Sequence, residues 1–360
     1  IIQLDQIDKK ENHLLASMEV KKGWLDFFQS QSFRIKELET FKNIDILHFH
    51  NLHGGFFSPF TLPELTQLKP AVWTLHDEQS FTGHCAYSFE CEKWISGCGN
   101  CPRLWYPPEI KVDTTNFLWN TKKLIYENCN MQILTPSEWL KNRVQKSILK
   151  NHDVRVMRNG VDEKVFYNWD KIQSRRELNL PENKKILLFN ADTSDENPQK
   201  GGKYLKEVYE YFKDNDDVLF LLIGGDKTEY ITPNYLKIEY VYDTPAMAKY
   251  YAASDLFIFP TLADNLPFVV LESLACGTPV ISFKTGGVSE MIEHMKNGYI
   301  ANYEDVNDFV NGVKVFLQDK NLLTSAGNAG RVLVENEFTL DKCLDNHMKL
   351  YEEVFEKAKQ

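Results

Sequence analysis

Three sets of residues in this chain have types and spacings that could do chemistry. In "ADNLPFVVLESLACGTPVISF", Asp264 and Glu272 stand eight positions apart. If Pro267 is an early helical residue, where its missing N–H costs nothing, Asp264 and Asn265 lie in the turn that enters the helix. The backbone N–H groups of Leu266, Phe268 and their neighbours to Val270 then form an anion site at the positive helix end. Glu272, about one and a half turns in, is placed to accept two hydroxyls of a diol such as a ribose. The plainer alternative is a helix cap at Asp264 and a salt bridge at Glu272. The second set is Cys85, Cys91, Cys98 and Cys101, spaced C-x5-C-x6-C-x2-C. The closing C-x2-C with Gly99 has the form of a zinc knuckle, and four thiolates can close a tetrahedral site. Two disulfides or free thiols are the alternatives, and a cytoplasmic setting disfavours the disulfides. The third set is histidine. His48, His50 and His53 follow i, i+2, i+5, which favours a core position for one of them over a metal. His76 ends an apolar run in "TLHD".

These residues need elements to hold them. "IDILHFH" (Ile44 to His50), "PAVWTLHD", "MQILTPS" and "DVRVMRNGVD" read as buried strands, with "EWLKNRVQKSIL" as a helix between the last two. A second cycle follows: "KKILLFNA", the helix "GGKYLKEVYEYFKD", "DVLFLLIGGD", "IEYVY", the helix "PAMAKYYAASD", "LFIFPT", the Glu272 helix and "PVISF". Continuous apolar strands alternating with amphipathic helices predict parallel sheets covered on both faces. The predicted class is α/β, with two Rossmann-like domains facing a central cleft. Their expected limits are 1–158 and 159–338, with a Cys-rich loop at 81–106. A C-terminal helix at 339–360 is expected to pack back toward the first domain. Ligands of such sheets sit beyond the carboxyl ends of the strands. His50, His53, His76, Asp77, Gly160, Asp192, Gly224, Asp243, Asp264 and Gly286 all fall just after proposed strands. The first forty residues read as helix-rich.

Apolar residues at 43% and charged residues at 26% read as a soluble globular protein, and the net charge of −10 argues against wholesale nucleic-acid binding while leaving room for a local basic patch. No apolar run reaches the length of a membrane span and no signal peptide is visible, so a cytoplasmic location is expected. The first residue is Ile1, not Met.

"DNLPFVVLESLACGTPVISFKTGG" resembles the signature of the family 4 retaining glycosyltransferases, whose fold is GT-B. "HFHNLHGGFFSPF", "TLHDEQSFTGHC" and "CGNCP" are similar to a branch found among transferases for cell-surface polysaccharides, and "TPSEWL", "RNGVDEKVF" and "QKGGKYL" fall in the family's order. The resemblance runs from about Ile44 to the C-terminus. It implies that Glu272 binds the ribose of a nucleotide donor. Asp264, with Asn265, Leu266, Pro267 and Phe268, would hold the donor sugar and distal phosphate. Lys200 would contact the diphosphate, and His76 the transferred sugar. Gly160, Gly286 and Gly287 match family loops at the donor. The implied reaction moves a hexose-type sugar from a UDP- or GDP-sugar to a glycan or lipid-linked acceptor. That acceptor would bring peripheral contact with the inner face of the membrane. No catalytic cofactor is implied, and any zinc is structural. Two departures stand out. Ser194 occupies the place of a usual arginine clamp, with Arg158 or Lys284 as substitutes. No Gly precedes Gly23, so the family's first strand and Gly-rich loop are expected to be missing or degenerate. The alternatives are a nucleotide-sugar epimerase of the same fold and a non-catalytic sugar-nucleotide binder.

Overall fold

Short apolar runs bounded by Gly, Pro and Asn form the strands, and the segments between them supply the helices. The structure, a computed structural model, describes residues 9–190 and 198–359. It divides into two units: residues up to Met157 together with those from Asn346 onward, and Arg158–Asp345.

The first unit runs α1 (Lys9–Lys22), α2 (Glu39–Lys42), β1 (Leu47–Phe49), α3 (Leu62–Leu68), β2 (Ala71–Thr74), α4 (Thr115–Tyr126), β3 (Gln132–Thr135), α5 (Glu138–Val144) and β4 (Val154–Val156). The strands form a parallel sheet in the order β1-β2-β3-β4. Strand β2 is buried along its whole length because both of its faces are covered. On one face Trp73, Ile133 and Leu140 join a core that includes Phe81 and Trp94 from the long β2–α4 segment. On the other, Val72 and Leu134 pack with Leu350.

The second unit runs α6 (Lys171–Glu177), β5 (Lys185–Asn190), α7 (Gly202–Phe212), β6 (Val218–Gly225), β7 (Glu229–Thr232), β8 (Tyr235–Glu239), α8 (Thr244–Ala253), β9 (Leu256–Phe259), α9 (Phe268–Ala275), β10 (Val280–Phe283), β11 (Gly298–Ala301), α10 (Val306–Gln318) and α11 (Lys320–Glu337). Helix α12 (Leu340–Ala358) closes the described chain, and its residues from Asn346 onward belong to the first unit. The sheet order is β11-β10-β9-β5-β6-β8-β7. Strand β7 is antiparallel to β8, an edge strand that the all-parallel expectation omitted. "IEYVY" is a strand only at its start, because β8 begins earlier, at Tyr235, and ends at Glu239. The core lies in two layers on the sheet's two faces. One holds Ile186, Leu188 and Leu271, and the other Leu187, Phe220 and Phe309.

Candidate active site

In the second unit, three loops meet at Asp264. Its Oδ2 accepts hydrogen bonds from Lys200 Nζ at 3.0 Å and from the Thr261 hydroxyl at 3.1 Å. Two glycines make this meeting possible. Gly201, at φ 71°, caps α7 so close to β9's exit that a Cβ there would lie 1.8 Å from the Pro260 carbonyl oxygen. Gly286, at φ 50°, comes equally close to the Asp264 carbonyl oxygen, which also accepts from the Gly287 N–H at 3.3 Å. The sequence placed Lys200 and Asp264 on different parts of a donor; the structure pairs them with each other. It also corrects Pro267, which is the N-cap of α9 and not a helical residue. Its φ of −67° and ψ of 128° are extended, and the helix proper begins at half-exposed Phe268. Asn265 is buried, and the Leu266 carbonyl accepts from Asn159 Nδ2 at 3.0 Å. Gly160 has a packing reason of its own. A Cβ there would meet the Thr339 carbonyl oxygen and the Cys343 Cβ, both at 2.7 Å.

Glu272 sits in the second turn of α9. Its Oε2 accepts from the Tyr251 hydroxyl at 3.0 Å, and that hydroxyl accepts from Asn190 Nδ2 at 2.9 Å. Burial pushes the Glu272 carboxyl up from its ordinary range, with the Tyr251 bond working against it. Glu272, Lys200, Asn190, Phe166, Tyr242 and Met247 help to line a cavity of about 520 Å³. Asn190 Oδ1 is buried and has no hydrogen-bond partner among the described residues. Sequence reasoning missed Asn190 and Tyr251. Asn190 ends β5, where the strand-end rule points, but nothing local marks Tyr251, inside a helix. Arg158 Nη1 lies 3.3 Å from Glu290 Oε2, and its guanidinium stacks on Phe338, while Lys284 is exposed. Ser194 and Asp192 lie outside the described residues.

In the first unit, the strand ends carry imidazoles. His50 Nδ1 and His76 Nε2 are 2.9 Å apart, with rings stacked at 5.2 Å. The His50 carbonyl accepts from Trp73 Nε1 at 3.0 Å. His48 is held between the Tyr351 and Thr74 hydroxyls at 2.6 and 2.7 Å. Burial, then the neighbouring histidines, lowers His48 to about 3, and the same two causes lower His50 and His76. His53 differs. Burial works to lower it, but its 2.9 Å bond to Asp77 and the charges of Asp77 and Asp26 together outweigh that and raise it. His76 is thus a neutral hydrogen-bonding group at neutral pH.

Cys85, Cys91, Cys98 and Cys101 line one cavity of about 20 Å³ beside Trp94. None is in a disulfide. Among the described residues, no three His, Cys, Asp or Glu side chains are already arranged to hold a metal ion. Of the aromatics in this segment, Phe81 and Trp94 are buried in the core beside the sheet, Tyr106 is buried, and Trp105 is exposed. Also among the described residues, no helix is long and apolar enough to cross a membrane.

Comparison with known proteins agrees with this architecture. Residues 170–333 match the family model "Glycosyl transferases group 1" and residues 16–165 match "Glycosyltransferase Family 4". An N-acetyl-alpha-D-glucosaminyl L-malate synthase of Bacillus anthracis is 26% identical over 61% of this chain and 58% of its own. A putative colanic acid biosynthesis glycosyl transferase, WcaC of Escherichia coli, is 25% identical over 69% and 62%. The chain therefore spans about three-fifths of these relatives. Sucrose-phosphate synthase from Thermosynechococcus elongatus superimposes with a TM-score of 0.70 at 18% identity, covering 91% of this chain and 79% of that one. Anabaena HepE in complex with UDP gives 0.64 at 14% identity, covering 88% and 81%. These likenesses establish the GT-B fold class. Two glycosyltransferase family models thus match the chain, one along each half.

Proposed function

We propose that this chain is a retaining glycosyltransferase. It moves a hexose-type sugar from a UDP- or GDP-sugar to a glycan or lipid-linked acceptor in surface polysaccharide synthesis. The observation that carries the reading is the 520 Å³ cavity of the second unit, with the Glu272 carboxylate and the Lys200 ammonium in its lining. Its volume lies in the usual range for a small-molecule site. Glu272, oriented by Tyr251, accepts two ribose hydroxyls. Lys200 turns from Asp264 toward the diphosphate and stabilises the charge that grows as it leaves. Asp264, released, accepts hydroxyls of the donor sugar. The bond from the anomeric carbon to the phosphate oxygen breaks, and the bond to the acceptor oxygen forms on the same face. The acceptor proton passes to the departing phosphate. His76, neutral, hydrogen-bonds the transferred sugar. The chain's own residues do this by positioning and electrostatics, with no catalytic cofactor. Support for the donor class comes from HepE, whose structure holds UDP, and for the polysaccharide role from the likeness to WcaC. The chain works in the cytoplasm and meets the inner face of the membrane through its lipid-linked acceptor.

The test is slow donor hydrolysis, measured across a panel of UDP- and GDP-sugars with candidate acceptors. One donor is expected to turn over, and Glu272→Ala to lose nucleotide-sugar binding at least tenfold. Unchanged affinity in that variant would sink the ribose assignment. Isomer interconversion without acceptor would point to an epimerase, and binding with no turnover of any donor to a non-catalytic protein.

A further inference from the structure

The cavity of the Cys-rich segment has a fifth potential donor that the cysteine spacing did not reveal. His84 is almost fully buried and lines the same space as the four thiols. Its Nδ1 lies 2.9 Å from the Pro108 carbonyl oxygen, an atom that can only accept. In the neutral ring the proton is therefore on Nδ1, and Nε2 keeps its lone pair. That lone pair faces Cys101 Sγ at 3.4 Å. An imidazole whose other nitrogen donates to a carbonyl is the arrangement that orients metal-binding histidines.

The 3.4 Å separation is informative. Zinc bonds of about 2.0 Å to nitrogen and about 2.3 Å to sulfur, at a tetrahedral angle, put the two ligand atoms about 3.5 Å apart. His84 Nε2 and Cys101 Sγ thus already stand where two ligands of one ion would. One sulfur also has a backbone donor: the Gly83 N–H donates to Cys98 Sγ at 3.2 Å, which works toward the thiolate against the burial that raises this thiol. The C-x2-C turn is fixed from outside: Lys93 Nζ donates to the Gly99 and Asn100 carbonyls at 3.0 and 2.6 Å, and Asp113 Oδ2 accepts from the Cys101 N–H at 2.7 Å.

We propose that this segment is a structural zinc site of the Cys₃His type, with His84 Nε2, Cys91, Cys98 and Cys101 as ligands. Cys85 follows His84 directly. Zinc-site ligands are ordinarily separated by two or more residues, so Cys85 is the thiol outside the set. The ion closes the cavity by drawing in Cys91, and it replaces the thiol protons, one released per cysteine. It ties the segment after β2 into a rigid unit and takes no part in group transfer.

The test uses the full chain purified without added metal. Elemental analysis is expected to find one zinc per chain, released by a mercurial and captured by a coloured chelator. Cobalt substitution is expected to give the visible bands of a tetrahedral site with three thiolates. Cys98→Ser and Cys101→Ser lose metal at least tenfold, and Cys85→Ser retains it. His84→Cys keeps the metal and strengthens the sulfur-to-cobalt charge-transfer band, which distinguishes a ligand from a residue that only supports folding. A metal-free, folded wild type, or two disulfides by thiol counting, overturns the proposal. So does a four-thiolate spectrum that His84→Cys leaves unchanged while Cys85→Ser abolishes it.

Discussion

The two units use one architecture and two kinds of chemistry. Each sets its polar residues after the carboxyl ends of parallel strands. In the first unit they are imidazoles, with His50 and His76 bonded ring to ring and His53 bonded to Asp77. In the second they are a lysine–carboxylate pair and a half-buried glutamate. The backbone around them differs as well. At its site the second unit brings Gly201 and Gly286 so close to a neighbouring carbonyl oxygen that an added Cβ would lie 1.8 Å from it, whereas a Cβ on Gly54, in the strand-end loop of the first, would meet only Phe56 Cδ1 at 4.0 Å. The contrast teaches where each unit's precision lies. The second fixes its site through main-chain approach, and the first through side-chain hydrogen bonds.

The largest expected effect tests that contrast directly. Gly201→Ala sets a methyl 1.8 Å from the Pro260 carbonyl oxygen, on a backbone already at φ 71°. The loss is expected to be about 3–5 kcal/mol, because left-handed strain adds to a collision that no flexible side chain can relieve. Gly54→Ala is also strained, at φ 114°, but its nearest neighbour is Phe56 Cδ1 at 4.0 Å. That change is expected to cost about 1–2 kcal/mol, from the backbone alone. Denaturant unfolding of the two variants checks the pair. Equal losses would erase the distinction between a close-packed and an open strand-end loop.

A smaller effect is expected at the ion pair. Lys200→Met leaves the Asp264 carboxylate with the Thr261 hydroxyl and no cation. Lys200 is half exposed, so solvent screens much of the interaction and about 1 kcal/mol of stability is at stake. A double-mutant cycle with Asp264→Asn measures it. Donor affinity is expected to fall more than stability does, by about tenfold or more, since a charge-assisted bond to phosphate is worth about 1.5–3 kcal/mol. Loss of stability without loss of affinity would make the pair a mere strut.

Much of this was legible in the sequence, and the failures share a cause. Strand runs such as "LFIFPT" and "PVISF" are apolar throughout and bounded by turn residues, so their burial on both faces could be read directly. Strands β7 and β11 were missed because "EYIT" and "GYIA" are too short to show a period. Pro267 fell one residue outside its helix, within the ordinary uncertainty of a boundary. What stayed hidden was pairing at a distance. Lys200 and Asp264 are 64 positions apart, and His50 and His76 are 26 apart. Each residue could be placed after a strand, but only strand order and register bring the partners together. His84 was hidden differently: beside four cysteines its neighbour Cys85 drew the eye, and only the Pro108 carbonyl reveals which nitrogen is bare.

The smallest and most selective effect is acid sensitivity confined to the first unit. His48 is lowered to about 3 from an ordinary 6.5, and His50 and His76 are lowered too. A lowered imidazole binds its proton more readily in the unfolded chain. Stability therefore falls as pH drops below 6.5, and for His48 it goes on falling toward about 3. Each such histidine contributes a slope of at most about 1.4 kcal/mol per pH unit, reduced by whatever solvent reaches the ring. His53 has the opposite sign. Raised by Asp77, it contributes stability that is full below 6.5 and lost as pH rises through its folded value. Six of the seven tryptophans, all but Trp169, lie in the first unit, so indole fluorescence reports its unfolding selectively. His48→Gln is expected to flatten the acid limb of that stability profile, and His53→Gln to flatten the alkaline limb while leaving the acid one. If Lys200→Met and His48→Gln changed the acid limb alike, the division between an imidazole cluster in one unit and a fixed ion pair in the other would not describe how the molecule responds to protons.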